Sequence, residues 1–343
     1  LVPLAWGAPQ EYVDLAKAFG ARDTHGIAEV LHYHYTSKHF LDVQAELPAE
    51  YMDWDSQPSP WRSYPDAPVV DLQFDATGNL GEELTLNWLG GFLRLAHGIT
   101  AWKSYDGVNK WALRAAPSSG NLQTTEAFLV LPPGLLPASS ATVSHLNVQR
   151  HALEVLGPTL PDLAPPGGFL VVLATVCTRE AWKYGMRALR SCHLNLGHAA
   201  AAFQAAAAAR GLTAQVSTAL SGAELLDLLL PLPRGPTEDL PVAVLEVTPR
   251  GAAPAPALDA GAVRAALGVA GVALTSAAAE QPEPKQRWDV MDRAERAMRD
   301  RLVSEVSLLC EDRLLAQFTR DQLQEAIQAR RSALGFDPTA ALD

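Results

Sequence analysis

Apolar positions along this chain fall into blocks whose spacing alternates between helical and strand-like. Tyr12, Val13, Leu15, Ala16 and Phe19 share one helical face and Gly20 follows as a stop, predicting a short amphipathic helix within residues 1–20. Ile27 to Leu31 is again helical and leads into His32-Tyr33-His34-Tyr35-Thr36-Ser37-Lys38-His39-Phe40. From Met52 to Val70 the periodicity stops and Asp, Trp, Pro and Tyr take over, which reads as a long irregular excursion pinned by its rings. Leu84, Trp88, Leu89, Phe92 and Leu95 restore helical spacing over Glu82–His97 and predict a core helix.

Residues 99–113, punctuated by lysine and tryptophan, lead into the polar stretch Arg114-Ala-Ala-Pro-Ser-Ser-Gly-Asn-Leu-Gln-Thr-Thr-Glu-Ala-Phe128. An apolar run, Ala127–Leu131, follows and stops at Pro132-Pro133. Val143–Val155, with His145 and His151, reads as a weakly polar strand and turn region. Gly168–Cys177 is a continuous β-branched run of the kind expected of a central strand. A helix is predicted from about Glu180 to Arg210, with Gly211 as its stop. Gly197 lies inside it, where glycine costs about 1 kcal/mol relative to alanine, and so implies close approach of another helix or a ligand. Thr213–Thr218 and Val242–Val247 read as strands, Pro249–Pro284 as an Ala/Pro-rich linker or excursion, and Lys285–Ser332 as charged helix. Thr319 with Gln322 makes a capping box for the last helix. Periodicity alone therefore gives a mixed α and β chain.

Composition narrows the function classes. Of 343 residues 48% are hydrophobic and 19% charged, enough for a sizeable core. A formal charge of −11 argues against nucleic acid as a partner, since phosphate-binding surfaces need a basic excess. No stretch of eighteen uncharged apolar residues predicts a membrane span, and the residues from Leu1 onward show no signal-peptide pattern. The three cysteines, Cys177, Cys192 and Cys310, form no CxxC, which fits a reducing, cytoplasmic setting without a disulfide framework. His32, His34 and His39 lack i, i+4 spacing, so no metal site is expected.

Two places carry candidate chemistry. Pro117, Ser118, Ser119, Gly120, Asn121 and Gln123 form a small polar loop able to line the edge of a flat heterocycle, with Gly120 letting the backbone come close. The same residues also suit an ordinary turn at the start of a buried element. His34, Thr36 and Lys38 make a basic, hydroxyl-bearing helix end suited to an anion.

The segments His34–Phe40 and Arg330-Arg331-Ser332-Ala-Leu-Gly-Phe336 each resemble the phosphate-binding start of the nitroreductase-like FMN flavoprotein family, where a basic pair and a serine grip the FMN phosphate. The 117–123 loop resembles that family's second motif, whose asparagine faces the isoalloxazine edge, and Arg190–Leu212 resembles its dimer-core helix. The likeness runs from about residue 27 to 250. Within the family, Tyr33-His34 with Lys38-His39, Asp53-Trp54 with Gln57-Pro58, and Glu180-Ala-Trp-Lys-Tyr-Gly-Met-Arg-Ala-Leu-Arg190 are similar to the SagB-type, or azoline (thiazole/oxazole) dehydrogenase, branch. Its lysine–tyrosine pair corresponds to Lys183 and Tyr184.

The resemblance implies an α+β fold, with a mixed, mainly antiparallel sheet flanked by helices and a long helix at a dimer interface. It also implies an FMN-dependent oxidoreductase that oxidises azolines of a peptide, with hydride passing to flavin N5 and the proton to Lys183 or Tyr184. Residues 1–250 would form the nitroreductase-like domain, 251–284 the linker and 285–343 a helical segment opening a second copy. The partner would be an identical chain or that second copy, whose site Arg330, Arg331 and Ser332 would help complete. His34 and Tyr35 stand where the family has arginines, and Thr124 where it has a proline. Other readings stay open: an NAD(P)H-dependent nitro or quinone reductase, a non-catalytic dimerisation or substrate-holding copy, or Lys183 as a solvated residue beside a core Tyr184.

Overall fold

A computed structural model of the chain describes residues 7–38, 53–73, 84–136, 141–158, 164–217, 240–251, 288–299 and 318–330. In chain order these form α1 (Gln10–Ala18), α2 (Thr24–Thr36), β1 (Val69–Asp71), α3 (Leu86–His97), β2 (Ile99–Ser104), β3 (Lys110–Arg114), β4 (Thr125–Leu131), β5 (Thr142–Asn147), β6 (Ala152–Pro158), β7 (Phe169–Thr175), α4 (Cys177–Tyr184), α5 (Ala188–Ala209), β8 (Leu212–Val216), β9 (Leu240–Pro249), α6 (Asp289–Arg299) and α7 (Arg320–Ala329). Seven strands make one sheet in the order β1-β6-β5-β4-β7-β9-β8, with every neighbouring pair antiparallel. β2 and β3 form a separate hairpin. The architecture is α+β.

The apolar runs become the middle of the sheet. Every residue of β4 and β7 is buried, because both faces are covered. Ala127, Leu129 and Leu131 of β4 and Phe169, Val171 and Leu173 of β7 face α3 and α5. On that side Phe92 meets Phe169 edge-on at 5.5 Å and Phe203 at 6.0 Å. Each such ring contributes about 2 kcal/mol by burial. On the opposite face Phe128 packs against Tyr64 and His145. Tyr64 belongs to the irregular excursion, which its rings do pin: Trp61 lies under Arg114 and Trp54 against Trp182.

α3 begins where Thr85 accepts a hydrogen bond from Trp88 N at 3.2 Å. The capping box at Thr319 and Gln322 forms in both directions, at 3.3 and 2.8 Å. Two expectations need correction. The helix predicted over 180–210 is two helices, broken at Gly185, whose φ of 53° and ψ of −133° no helix tolerates. Residues 99–113, for which the pattern predicted no element, fall in a β-hairpin, and the strand and turn region 143–155 falls in a second one, β5–β6. A Cβ at Gly197 would meet nothing within 4 Å, so no neighbour within the described residues uses that gap.

The C-terminal helices lie on the same body. Met291 and Ala294 of α6 join Tyr33, Cys177 and Ala181 in one apolar cluster, and Arg293 Nε reaches Glu29 Oε2 at 2.9 Å. α7 packs on α5, with Ile327 against the main core. Of the expected linker, residues 252–284 lie outside the described residues, as do His39, Phe40, Cys310, Arg331, Ser332 and Phe336.

Candidate functional site

β7 hands the chain directly to α4, and the helical repeat sets Glu180, Lys183 and Tyr184 one turn apart on a shared face. Facing them is the 117–123 loop. Ser119–Asn121 makes one turn of 3-10 helix, and Gly120, Asn121 and Gln123 take φ of 58°, 58° and 54°. A Cβ built on Gly120 would lie 3.0 Å from Lys183 Cδ, 3.1 Å from Tyr184 Oη and 3.3 Å from Lys183 Nζ. The missing side chain is what lets the lysine and the phenol rest on the loop backbone. Two motifs about sixty residues apart in sequence thus meet at one point.

The loop is held by its own polar groups. Ser119 donates from both N and Oγ to Asn195 Oδ1 on α5, at 2.9 and 3.0 Å. Asn195 Nδ2 in turn donates to Thr124 Oγ1 at 3.0 Å and Glu180 Oε2 at 3.4 Å. Ser118 Oγ accepts from Gln123 N at 3.0 Å, Gln123 Nε2 donates to Asn121 Oδ1 at 2.7 Å, and Asn121 Nδ2 donates to Ala112 O at 3.0 Å. The amides of Asn121 and Gln123 are therefore turned onto the chain. Pro117 precedes this turn and is half-buried.

Beneath the loop lies a buried charged network that sequence inspection did not find. Arg179 Nη1 donates to Gln123 O at 2.7 Å and Glu126 Oε1 at 2.6 Å. His145 bridges Glu126 at 3.1 Å and Glu154 at 2.8 Å, while Asn147 and the Tyr64 backbone donate to Glu154. Burial works against the charge on Glu126, yet Arg179 and then His145 hold its carboxyl well below the usual range. Burial likewise opposes a charged His145, but hydrogen bonds to its two carboxylates raise its pKa. Glu126, His145 and Glu154 sit on three adjacent strands, where register brings them together: His145 lies opposite both Glu154 and Phe128, the residue two after Glu126; Arg179 reaches Glu126 from α4.

Glu180 differs from Glu126. It is fully buried, and desolvation lifts its carboxyl to about 8, outweighing its polar neighbours and Lys183. Burial, and then the charge of Glu180, raises the phenol of Tyr184.

The basic helix end gathers around a residue not singled out as a site member, Arg190 at the start of α5. Its Nη2 donates to His34 O at 2.7 Å and Ser37 Oγ at 3.0 Å and lies 3.2 Å from His34 Nδ1; its Nε is 3.3 Å from Ser37 Oγ. Burial, then Arg190 and Lys38, lower the pKa of His34, so the imidazole is neutral at pH 7. Thr36 Oγ1 donates back to His32 O at 2.8 Å, and Lys38 Nζ lies 4.6 Å over the Tyr35 ring. The available signal was Arg190 itself, which closes the Glu180–Arg190 stretch. Ser37 is buried under it. Arg330 is placed elsewhere: it donates to Ala115 O at 3.1 Å and Arg114 O at 3.0 Å, at the entrance of the 117–123 loop of its own chain.

This donor set suits a phosphorylated flavin. Arg190 and Lys38 place two cations at one helix end, where the hydroxyls of Thr36 and Ser37 are bonded to backbone carbonyls, and Gly120 leaves bare backbone beside Lys183 and Tyr184. Residues 108–247 match the Nitroreductase family model. The matched domain runs from the tip of the β2–β3 hairpin to β9 and holds the loop, the Lys183-Tyr184 pair and Arg190. Among solved structures, a protein assigned as a nitroreductase from Anabaena variabilis is 25% identical with a TM-score of 0.51, over 64% of this chain and 46% of that one. The chain thus spans about half the length of that relative. More remote likenesses are an assigned nitroreductase from Ralstonia eutropha (19% identity, TM-score 0.38, over 53% and 79% of the two chains) and the E. coli microcin synthetase McbBCD complex with truncated pro-MccB17 bound (17%, 0.39, over 71% and 95%). No curated protein matches the sequence. The fold is the nitroreductase fold. Among the described residues no helix is long and apolar enough to cross a membrane.

Proposed function

We propose that the chain is an FMN-dependent oxidoreductase that dehydrogenates azoline rings of a peptide, in the manner of the SagB-type branch. The observation that carries this reading is the contact of Lys183 and Tyr184 with the bare backbone of Gly120. FMN, when bound, supplies a hydride acceptor. Arg190 and Lys38 would hold its phosphate at the helix end formed by Thr36 and Ser37, and Ser118–Gly120 would present backbone to its ring edge. Tyr184, with its phenol raised by burial and by Glu180, keeps its proton and donates a hydrogen bond to the heterocycle. Lys183 Nζ takes the proton released from carbon. A partner copy of the same fold closes the site.

A second reading is favoured by one observation: the amides of Asn121 and Gln123 bond within the chain. On that reading the copy is non-catalytic and serves dimerisation or substrate holding. Visible absorbance of the purified protein separates the two, with any released flavin identified after denaturation. The oxidoreductase reading expects FMN, and expects Lys183→Ala and Tyr184→Phe to keep the flavin while losing azoline oxidation. A colourless protein that takes up no added FMN would leave the second reading standing. Turnover of nitro or quinone substrates with NAD(P)H, and none of azolines, would redirect the substrate class.

A further inference from the structure

The β2–β3 hairpin stands apart from the main sheet, and a two-stranded unit has little stability of its own in water. Trp102, Tyr105 and Val108 are nonetheless exposed on it. Trp102 keeps 53% of its surface in water, yet it is held in place from behind. Its ring rests on Trp61 at 6.3 Å, Trp61 lies 5.1 Å from the Arg114 guanidinium, and Arg114 donates to Pro60 O at 2.8 Å. An aromatic ring fixed in advance loses little freedom when it is covered. Trp102, Lys103, Ser104 and Lys110 line an open groove of about 510 Å³. Among the described residues neither lysine makes an ion pair or a hydrogen bond. The carboxylate at the hairpin tip, Asp106, is turned onto its own chain and accepts from Val108 N, Asn109 N and Ser104 Oγ. The groove thus sets two unpaired cations beside an aromatic wall in a chain of net charge −11. The outer edge of β3 is taken, since Ala112 O accepts from Asn121 Nδ2 and Arg114 O from Arg330 Nη2. The outer edge of β2 has no backbone partner among the described residues.

We propose that the β2 edge and its groove dock an extended, acidic stretch of the peptide substrate. Such a stretch adds to β2 as a strand through backbone hydrogen bonds, its carboxylates reach Lys103 and Lys110, and an apolar side chain covers Trp102. The sign of the charge decides between occupants. Lysines at a strand edge repel the same edge of a second copy, and they attract carboxylates. β3 ends at Arg114 and Pro117 opens the site loop, so Gly120 lies within roughly 20 Å of extended chain from the end of the hairpin. A peptide held there presents its neighbouring residues to Lys183 and Tyr184 at a raised local concentration. The identity of the peptide rests on the dehydrogenase reading, while the docking itself needs no flavin.

The test follows a short fluorescein-labelled peptide of alternating Glu and Val by polarisation against the full chain, without added flavin. Binding is expected. Lys103→Glu/Lys110→Glu should weaken it by about tenfold or more, and raising the salt from about 0.15 M to about 0.5 M should weaken it as well. A Lys/Val peptide of the same length should bind the reversed variant and not the native chain. Trp102→Ala should weaken binding by about fivefold and keep the charge preference. No binding, or equal binding to native and reversed chains, overturns the proposal. So does a lower oligomeric state of the reversed variant in sedimentation, which would make a second copy the occupant. Both lysines are exposed, so the reversal leaves folding intact; should Trp102→Ala not fold, the charge reversal decides alone. Capture of the acidic peptide by a chain that takes up no FMN would sink the dehydrogenase reading and leave the docking surface standing. Azoline oxidation without such capture would do the opposite.

Discussion

Replacing Gly120 by alanine isolates the contact between the loop and the Lys183–Tyr184 pair. The backbone there has φ of 58°, where a Cβ costs about 1–2 kcal/mol. Stiffening of the unfolded chain offsets about 0.5 kcal/mol of that. The net loss of roughly 1 kcal/mol lowers Tm by about 1–2 °C in a chain of this size. The new methyl must also displace Lys183 Cδ and Tyr184 Oη, now 3.0 and 3.1 Å from its position. Both are ends of flexible side chains, so the displacement adds little instability, but it moves the pair off the loop. Gly107→Ala is the control: its φ is 77° and its Cβ would meet nothing within 4 Å. The two variants should lose similar stability by thermal unfolding, while only Gly120→Ala loses FMN uptake or turnover, by tenfold or more (about 1.4 kcal/mol). Equal uptake and turnover in both variants would refute the view that this contact forms the site.

Arg179→Met should cost about 3–5 kcal/mol in urea unfolding, because it leaves the buried Glu126 carboxylate without its guanidinium and Gln123 O without its donor; a loss under 1 kcal/mol would mean that His145 suffices. His97 is buried with Nε2 donating to Thr125 O, and burial, then Arg114, lower its pKa to about 4. A histidine with a depressed folded pKa contributes stability above the unfolded value near 6.5 that is lost as pH falls toward 4, here about 2 kcal/mol between pH 7 and 5. His97→Gln should lack that share of the acid sensitivity, and unfolding curves for both proteins that shift equally between the two pH values would contradict the assignment.

Much of the fold was legible because it rests on local pattern. β4 and β7 are uninterrupted apolar runs, as strands buried on both faces must be, and α3 has a clean helical stripe behind a threonine cap. The break at Gly185 was hidden because Met186–Leu189 are good helix formers, and only the positive φ at Gly185 reveals the corner. The loop and the Lys183-Tyr184 pair could each be read from composition, but not their contact. The inward turn of Asn121 was not readable either, since it depends on where β3 places Ala112 O. The Arg179–Glu126–His145–Glu154 network was invisible for the same reason. Each member is unremarkable in its own element, and cross-strand register together with the placement of α4 assembles them.

α5 touches both halves of the site with rigid rungs of a single helix. Arg190 grips the end of α2, and Asn195 grips Ser119, five residues or about 7.5 Å of helix axis further on. The helix is therefore a gauge that fixes the span between the anion-binding end and the reactive end by residue count. An exposed side chain on that span, such as Leu194, is free to vary, but one residue added or removed between 190 and 195 would swing Asn195 by about 100° and leave the loop without its anchor. Drift at its exposed positions should thus be tolerated in kind and not in number, a constraint on spelling length that no single contact in the site would disclose.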